Sequence, residues 1–286
     1  MVLAERLGGE IISVDSMQVY RGLDIGTAKP SPDERSRVPH HLIDVVGLTE
    51  PFDAAQFARR AADAVTEIQG RGRIPILCGG TGLYFRAFIQ GLGDAPPANE
   101  SLRKELEATP LADLIKELEA RDPATFQAID RQNPRRVIRA VEVIRQTGKP
   151  FSSQRAAWTG EESTGRAEDR FFALSRPQAE LMERIDARVD GMFERGLVAE
   201  TEQLLAIGLQ QNQTAMQAIG YRQVAEHLRG ERSLSDTIAL VKVRTRQFAK
   251  RQRTWFRHQA HAQWLTISAE EKSDEVADRL TILWNE

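Results

Sequence analysis

Apolar positions along the chain follow two rhythms, short unbroken runs and a three-to-four-residue repeat, and the two alternate as in an α/β protein. Ile11, Ile12 and Val14 form a continuous run of the kind that makes a strand buried on both faces, and it stops abruptly at Asp15 and Ser16. A second run, entered after Pro39 and covering 39–46, predicts another strand. A third, at 73–78, passes directly into Gly79, Gly80, Thr81 and Gly82, which predicts a strand, a glycine turn and a helix start in succession. Between the second and third runs, 52–69 carries the helical repeat and predicts an amphipathic helix. Residues 1–7 have helical composition, closed by Gly8 and Gly9.

Beyond the third run the pattern changes. Residues 91–99 are rich in glycine, proline and small side chains and predict a domain boundary. Helical repeats follow at 102–118 and 120–129, and Asn133 and Pro134 open a further helix. A short apolar run at 171–174 is expected to return to the parent sheet, and the remainder, with repeats at 179–194 and 200–207, reads as mainly helical. The expected organisation is an α/β core from 1–93 and 171–286, with C-terminal helices and a helical insertion at 94–170.

Composition narrows the class. The chain has 286 residues, 41% hydrophobic and 28% charged, as expected of an ordinary globular protein. No apolar run approaches the roughly 18 residues of a spanning helix, and the N-terminus lacks the regions of a signal peptide. The single cysteine, Cys78, excludes an internal disulfide, and a cytoplasmic protein is expected. A net charge of −2 confines any nucleic-acid site to a local basic patch.

Candidate chemistry gathers at the ends of the apolar runs. In open α/β sheets ligands bind at the carboxyl ends of strands, which puts Asp15, Ser16 and Gln18 in a cleft, although Asp15 can equally cap the turn that follows. The loop 21–30, with Thr27 and Lys29, can approach a phosphate through its glycines or act as a plain connector. His40 and His41 do not have the spacing of metal ligands. The turn at Thr81 offers backbone N–H groups to an anion, or is a tight turn with no ligand. Arg135, Arg136 and Arg139 open a helix against its macrodipole, which suggests phosphate binding or a solvated face. In 242–258, Lys242, Arg246, Lys250 and Arg257 recur at helical spacing among Phe248, Trp255 and Phe256; this reads as a phosphate-tracking face, or as a helix lying on a core made by those aromatics.

Six motifs, in order, carry a resemblance: ISVDSMQVYRGLDIGTAKP at 12–30, PHHLID at 39–44, ILCGGTGLYF at 76–85, NPRRVIRAVEV at 133–143, AIGYRQ at 218–223 and KRQRTWFR at 250–257. Together they make the sequence similar to the tRNA dimethylallyltransferases, also called tRNA isopentenyltransferases, over essentially its whole length. The resemblance implies a parallel sheet of P-loop-NTPase type and transfer of a dimethylallyl group from dimethylallyl diphosphate. The acceptor would be the exocyclic amine of the adenosine 3′ to the anticodon, in tRNAs reading codons that begin with U. It implies Asp15 as general base, with Asp15, Ser16, Met17 and Gln18 around a flipped-out adenine. Thr81 and Arg103 would bracket the diphosphate, and Mg²⁺ would neutralise it. The anticodon stem-loop would be held by three segments: Arg135, Arg136, Val137, Ile138 and Arg139; Gln217, Ala218, Ile219, Gly220, Tyr221 and Arg222; and Lys250, Arg251, Gln252, Arg253, Thr254, Trp255, Phe256 and Arg257. A monomer is expected.

The resemblance also implies a G-x-x-x-x-G-K-[ST] loop before the ISVDS strand, and this sequence contains none. The expectation is that the loop and its strand are encoded upstream of Met1, or that the chain is shortened. A chain complete as written is expected to keep its tRNA surface and lose most of its prenyl transfer, as a tRNA-binding homologue would. A P-loop-class kinase of small metabolites is the third reading, and the basic aromatic segment speaks against it.

Overall fold

The computed structural model describes residues 1–154, 170–260 and 262–285. In chain order its elements are α1 (Val2–Leu7), β1 (Gly9–Val14), α2 (Pro32–Arg37), β2 (His40–His41), α3 (Ala54–Gly70), β3 (Ile74–Gly79), α4 (Gly82–Gln90), α5 (Glu100–Ala108), α6 (Leu111–Arg121), α7 (Pro123–Ala128), α8 (Pro134–Thr147), β4 (Phe172–Ser175), α9 (Gln178–Glu194), α10 (Leu197–Ala206), α11 (Tyr221–Leu228), α12 (Leu234–Gln259), β5 (Gln263–Thr266) and α13 (Ser273–Asn285). They fall into two compact units, Met1–Phe88 with Gly165–Glu286, and Ile89–Thr164.

In the first unit β1 is the middle strand of a parallel sheet ordered β2-β1-β3 and is buried at every position. Its apolar run makes this possible. The exception, Glu10, is buried because Arg71 and His41 meet its carboxylate at 2.8 and 2.7 Å. The Arg71 hydrogen bond, helped by His41, outweighs desolvation and holds the Glu10 carboxyl below its usual range.

The second strand is shorter than its apolar run suggests: only His40 and His41 pair with β1. The backbone then leaves strand geometry at Leu42 (φ 61°) and Asp44 (φ 58°). Ion pairs hold this turn, since Asp44 accepts from Lys29 at 2.6 Å and from Arg35 at 2.8 Å. Lys29 is thereby committed, its side chain only 4% exposed, and the loop before it is a connector, not a phosphate cradle. The run at 171–174 also departs from expectation, because β4 pairs with β5 in a separate parallel sheet and not with the β1 sheet. The link back to the core is aromatic: Phe171 packs on Phe85 and Phe256, with ring centroids 5.1 and 6.0 Å apart.

Helices α5 to α8 form the second unit around Leu106, Leu114, Leu118, Val137, Val141 and Ile144. The repeat at 102–118 predicts one helix, but Pro110 divides it into α5 and α6 because proline lacks an N–H and clashes with the preceding turn. The repeat at 120–129 is divided likewise: Asp122 caps α7 through the Thr125 N–H at 3.1 Å, and Pro123 takes the first helical position. At the centre of this unit Glu142 is fully buried and accepts from Arg103, Arg139 and the Asn99 N–H at 2.7, 2.7 and 2.9 Å. Among the described residues no helix is long and apolar enough to cross a membrane.

Candidate active site

The candidate site is built where β1 and β3 end side by side. The Gly80 and Thr81 N–H groups both donate to the Val14 carbonyl, at 3.2 and 3.1 Å, and the Ser16 N–H donates to Thr81 Oγ1 at 3.1 Å. Two turns distant in sequence are thus joined, and Gly79 allows it, because a Cβ there would lie 2.3 Å from the Val14 carbonyl oxygen. A cavity of about 330 Å³ opens at this junction, with Ser13, Asp15, Gln18, Cys78 and Gly79 in its wall.

Asp15 combines the two roles that its position suggests. Its Oδ1 accepts from the N–H groups of Met17 (2.7 Å) and Gln18 (3.2 Å), so one oxygen fixes the turn. Among the described residues Oδ2 has no hydrogen-bond partner, which leaves one lone-pair face available to a ligand proton.

Its neighbours are less available. The Gln18 carbonyl accepts from the Ser13 hydroxyl at 2.8 Å and its amide donates to the Thr27 carbonyl at 3.1 Å, so this side chain braces the turn and keeps one carbonyl lone pair free. Met17 packs against the core. Gln18 nonetheless lines the cavity, whereas Met17 is not among its lining residues.

Arg188 of α9 was not singled out by the sequence, where it reads as one charge on an amphipathic helix. Desolvation lowers its guanidinium below the usual range, although it is exposed, and the nearby charge of Asp15 opposes that shift. Among the described residues it pairs with no carboxylate, and two acids of its own helix, Asp186 and Asp190, are taken elsewhere. Asp190 accepts from Lys242 at 2.7 Å and Asp186 binds Arg246, which commits both of those cations to packing α9 on α12.

The far end of α12 seats on the same glycine turn. Gln252 donates to the Gly80 carbonyl at 3.1 Å, and the Trp255 indole occupies the space over Gly82, where a Cβ would lie 2.3 Å from the ring. Phe256 joins Phe85 and Phe171, and the Arg86 guanidinium lies 5.4 Å from the Trp255 ring centroid. Trp255, Phe256 and Gln252 are thus half-buried packing residues, the arrangement of a helix lying on a core made by its aromatics. Lys250, Arg251, Thr254 and Arg257 are exposed and Arg253 partly so.

Residues 217–222 divide in the same way. Gln217 and Arg222 are exposed and Ile219 partly so, whereas Ala218, Gly220 and Tyr221 are buried. The Tyr221 hydroxyl donates to Glu200 Oε1 at 2.5 Å and accepts from the Gly26 N–H at 3.0 Å; burial, with Glu200 beside it, pushes its pKa up. Ala218, Gly220 and Tyr221 hold the loop to the core. In the second unit Arg135 and Arg136 are exposed, Val137 is core, Ile138 packs against that core, and Arg139 and Arg103 are both bound by Glu142. The Val137 side chain is therefore part of the core, and Arg139 braces its helix.

Mg²⁺ does not find a site in these donors: among the described residues no three His, Cys, Asp or Glu side chains gather to hold a metal, and Asp15 already uses one oxygen for its turn.

Comparison with known proteins gives concordant matches. A family model described as IPP transferase matches residues 18–259. The tRNA dimethylallyltransferase 1 of Trichlorobacter lovleyi is 46% identical over 267 residues, covering 92% of this chain and 87% of its own. The tRNA dimethylallyltransferase of Geobacillus thermodenitrificans is 44% identical over 278 residues, covering 95% and 87%. Among solved structures, the full-length tRNA isopentenylpyrophosphate transferase of Bacillus halodurans superposes with a TM-score of 0.70 at 40% identity, covering 99% of this chain and 89% of its own. A eukaryotic dimethylallyltransferase described as acting on tRNA gives a TM-score of 0.77 at 29% identity, covering 98% and 73%.

Proposed function

Since the chain belongs to the IPP transferase family, we propose that it transfers a dimethylallyl group from dimethylallyl diphosphate to the exocyclic amine of the adenosine 3′ to a tRNA anticodon. The observation that carries this reading is the partnerless Asp15 Oδ2 at the end of a fully buried strand, facing a cavity closed by a second strand end. As the amine nitrogen bonds to the allylic carbon, the carbon–oxygen bond to diphosphate breaks. Asp15 Oδ2 takes the proton the nitrogen releases. An aryl amine is a weak nucleophile, and a positioned carboxylate raises its reactivity without an extreme pKa. Arg188, near enough to Asp15 for the two charges to act on each other, would supply a cation to the departing diphosphate, and the Thr81 hydroxyl, whose oxygen already accepts from the Ser16 N–H, would donate its hydrogen to the same anion. The family's chemistry uses Mg²⁺, which would have to find ligands beyond those gathered here.

The exposed cations of α12, with Arg222, would hold the anticodon arm, and Arg135 and Arg136 of the second unit would add phosphate contacts. The reading places the protein in the cytoplasm with its tRNA. Incubating the protein with dimethylallyl diphosphate, Mg²⁺ and a matching anticodon stem-loop should add one dimethylallyl group to the RNA mass. A loop with guanosine in place of that adenosine should gain nothing. Equal gain by both RNAs, or by neither, would refute the reading.

A further inference from the structure

α11 and α12 line a second cavity of about 460 Å³ whose wall includes Arg222, Glu226, Arg232, Arg244 and Arg251. Its charge does not balance. Glu226 accepts from Arg222 at 3.1 Å and from Arg232 at 2.9 Å, which commits the one carboxylate of the wall to two of the four arginines. Arg244 donates only to the Gln247 amide, at 3.1 Å, and among the described residues neither Arg244 nor Arg251 meets a carboxylate. Two uncompensated guanidinium groups therefore face one polar cavity, and in a chain of net charge −2 this is a strongly local excess.

Arg244, Phe248 and Arg251 stand at helical spacings of four and three residues, on one face of α12. The Phe248 ring is 40% exposed and belongs to none of the apolar clusters, yet the Arg251 guanidinium lies 5.8 Å from its centroid. An exposed aromatic ring with one arginine over it, and a second arginine four residues before it on the same helix, offers a π surface with cations near it. Unpaired nucleotides bind to such a combination, the base on the ring and the backbone phosphate on the cations. An acidic peptide could satisfy the arginines and would leave the ring without use.

Resting on the RNA-binding reading above, we infer that this face binds one unpaired nucleotide of the RNA, with its phosphate between Arg244 and Arg251 and its base stacked on Phe248. Arg232 and Arg222, held by Glu226, shape the floor of the phosphate site. Stacking makes no use of base edges, so the site tolerates any base.

Fluorescence anisotropy with a labelled anticodon stem-loop, and with a fully paired hairpin of equal length, tests this in the intact protein. Phe248→Ala should weaken stem-loop binding by about tenfold and leave the hairpin unchanged, while Phe248→Trp restores binding. Arg244→Ala should lower the slope of log affinity against log salt by about 0.7, the share of one single-strand phosphate. Both side chains are exposed, so thermal unfolding should not move, and KM for the RNA should rise. Variants that bind as wild type does would overturn the inference while leaving the prenyl-transfer reading intact. Failure of the wild type to bind RNA would overturn both. Loss of binding in Arg244→Ala alone, with competition by millimolar inorganic phosphate and no effect of Phe248→Ala, would show a phosphate pocket without a stacked base and overturn the proposal as stated.

Discussion

Asp15 and Arg188 sit in opposite relation to their surroundings. The carboxylate is fixed by its own turn through one oxygen, and the arginine is held by no ion pair among the described residues. If Arg188 meets the departing diphosphate, Arg188→Ala should raise KM for dimethylallyl diphosphate by about tenfold, the scale of one charge-assisted hydrogen bond, and leave RNA affinity unchanged. A change in RNA affinity with an unaltered diphosphate KM, read from initial rates, would move Arg188 to the RNA surface instead. Asp15 was legible in the sequence because an apolar run that ends on a carboxylate marks a strand's carboxyl end. Arg188 was not: its significance comes from tertiary neighbours that claim Asp186 and Asp190 for α12. The bracing of Gln18 by Ser13 and Thr27 was equally hidden, since both partners are brought to it by the folded turn.

At the scale of elements, α12 holds the active-site turn in place as well as presenting cations. Gly82→Ala would drive a methyl group into the Trp255 ring, whose nearest atom would lie 2.3 Å from the new Cβ, and a bulky indole in a packed site cannot yield cheaply. Unfolding should occur at a lower temperature by several degrees, roughly 1–3 kcal/mol, with altered tryptophan fluorescence; an unchanged emission spectrum would show that the indole had not moved. The basic repeat of α12 was readable from sequence, and so were its aromatics. Periodicity alone cannot assign each face, and Lys242, Arg246, Trp255 and Phe256 turned out to pack. Element ends were read less well where a single residue decides: Pro110 cuts a repeat that otherwise continues, and ion pairs at Asp44 halt β2 two residues in.

For the molecule as a whole, each unit keeps its own polar keystone. Burial pushes the Glu142 carboxyl up, but hydrogen bonds from Arg139, Arg103 and the Asn99 N–H outweigh it and hold the pKa below the usual value. A depressed folded-state pKa means that the stabilisation is fully present above the unfolded value and is lost as pH falls through the folded one. Stability should therefore be flat through neutrality and decline below about pH 4.5, near the ordinary glutamate pKa. Glu142→Gln should cost about 3 kcal/mol at pH 7 by leaving two arginines without their buried partner, and should flatten that acid limb in urea titrations. The α/β class and its parallel sheet were legible because continuous apolar runs alternate with helical repeats. The separate pairing of β4 with β5 was not, since a four-residue apolar run carries no information about its partner.

The most direct test compares Asp15→Asn with wild type, measuring dimethylallyl transfer to the stem-loop in a single turnover alongside RNA affinity. Asparagine keeps an Oδ1 for the Met17 and Gln18 N–H groups and removes only the basicity of the carboxylate. Transfer slowed by roughly a hundredfold or more, with RNA affinity unchanged, is the predicted result. Transfer at the wild-type rate would contradict the assignment of this cleft as the place where the carbon–nitrogen bond forms.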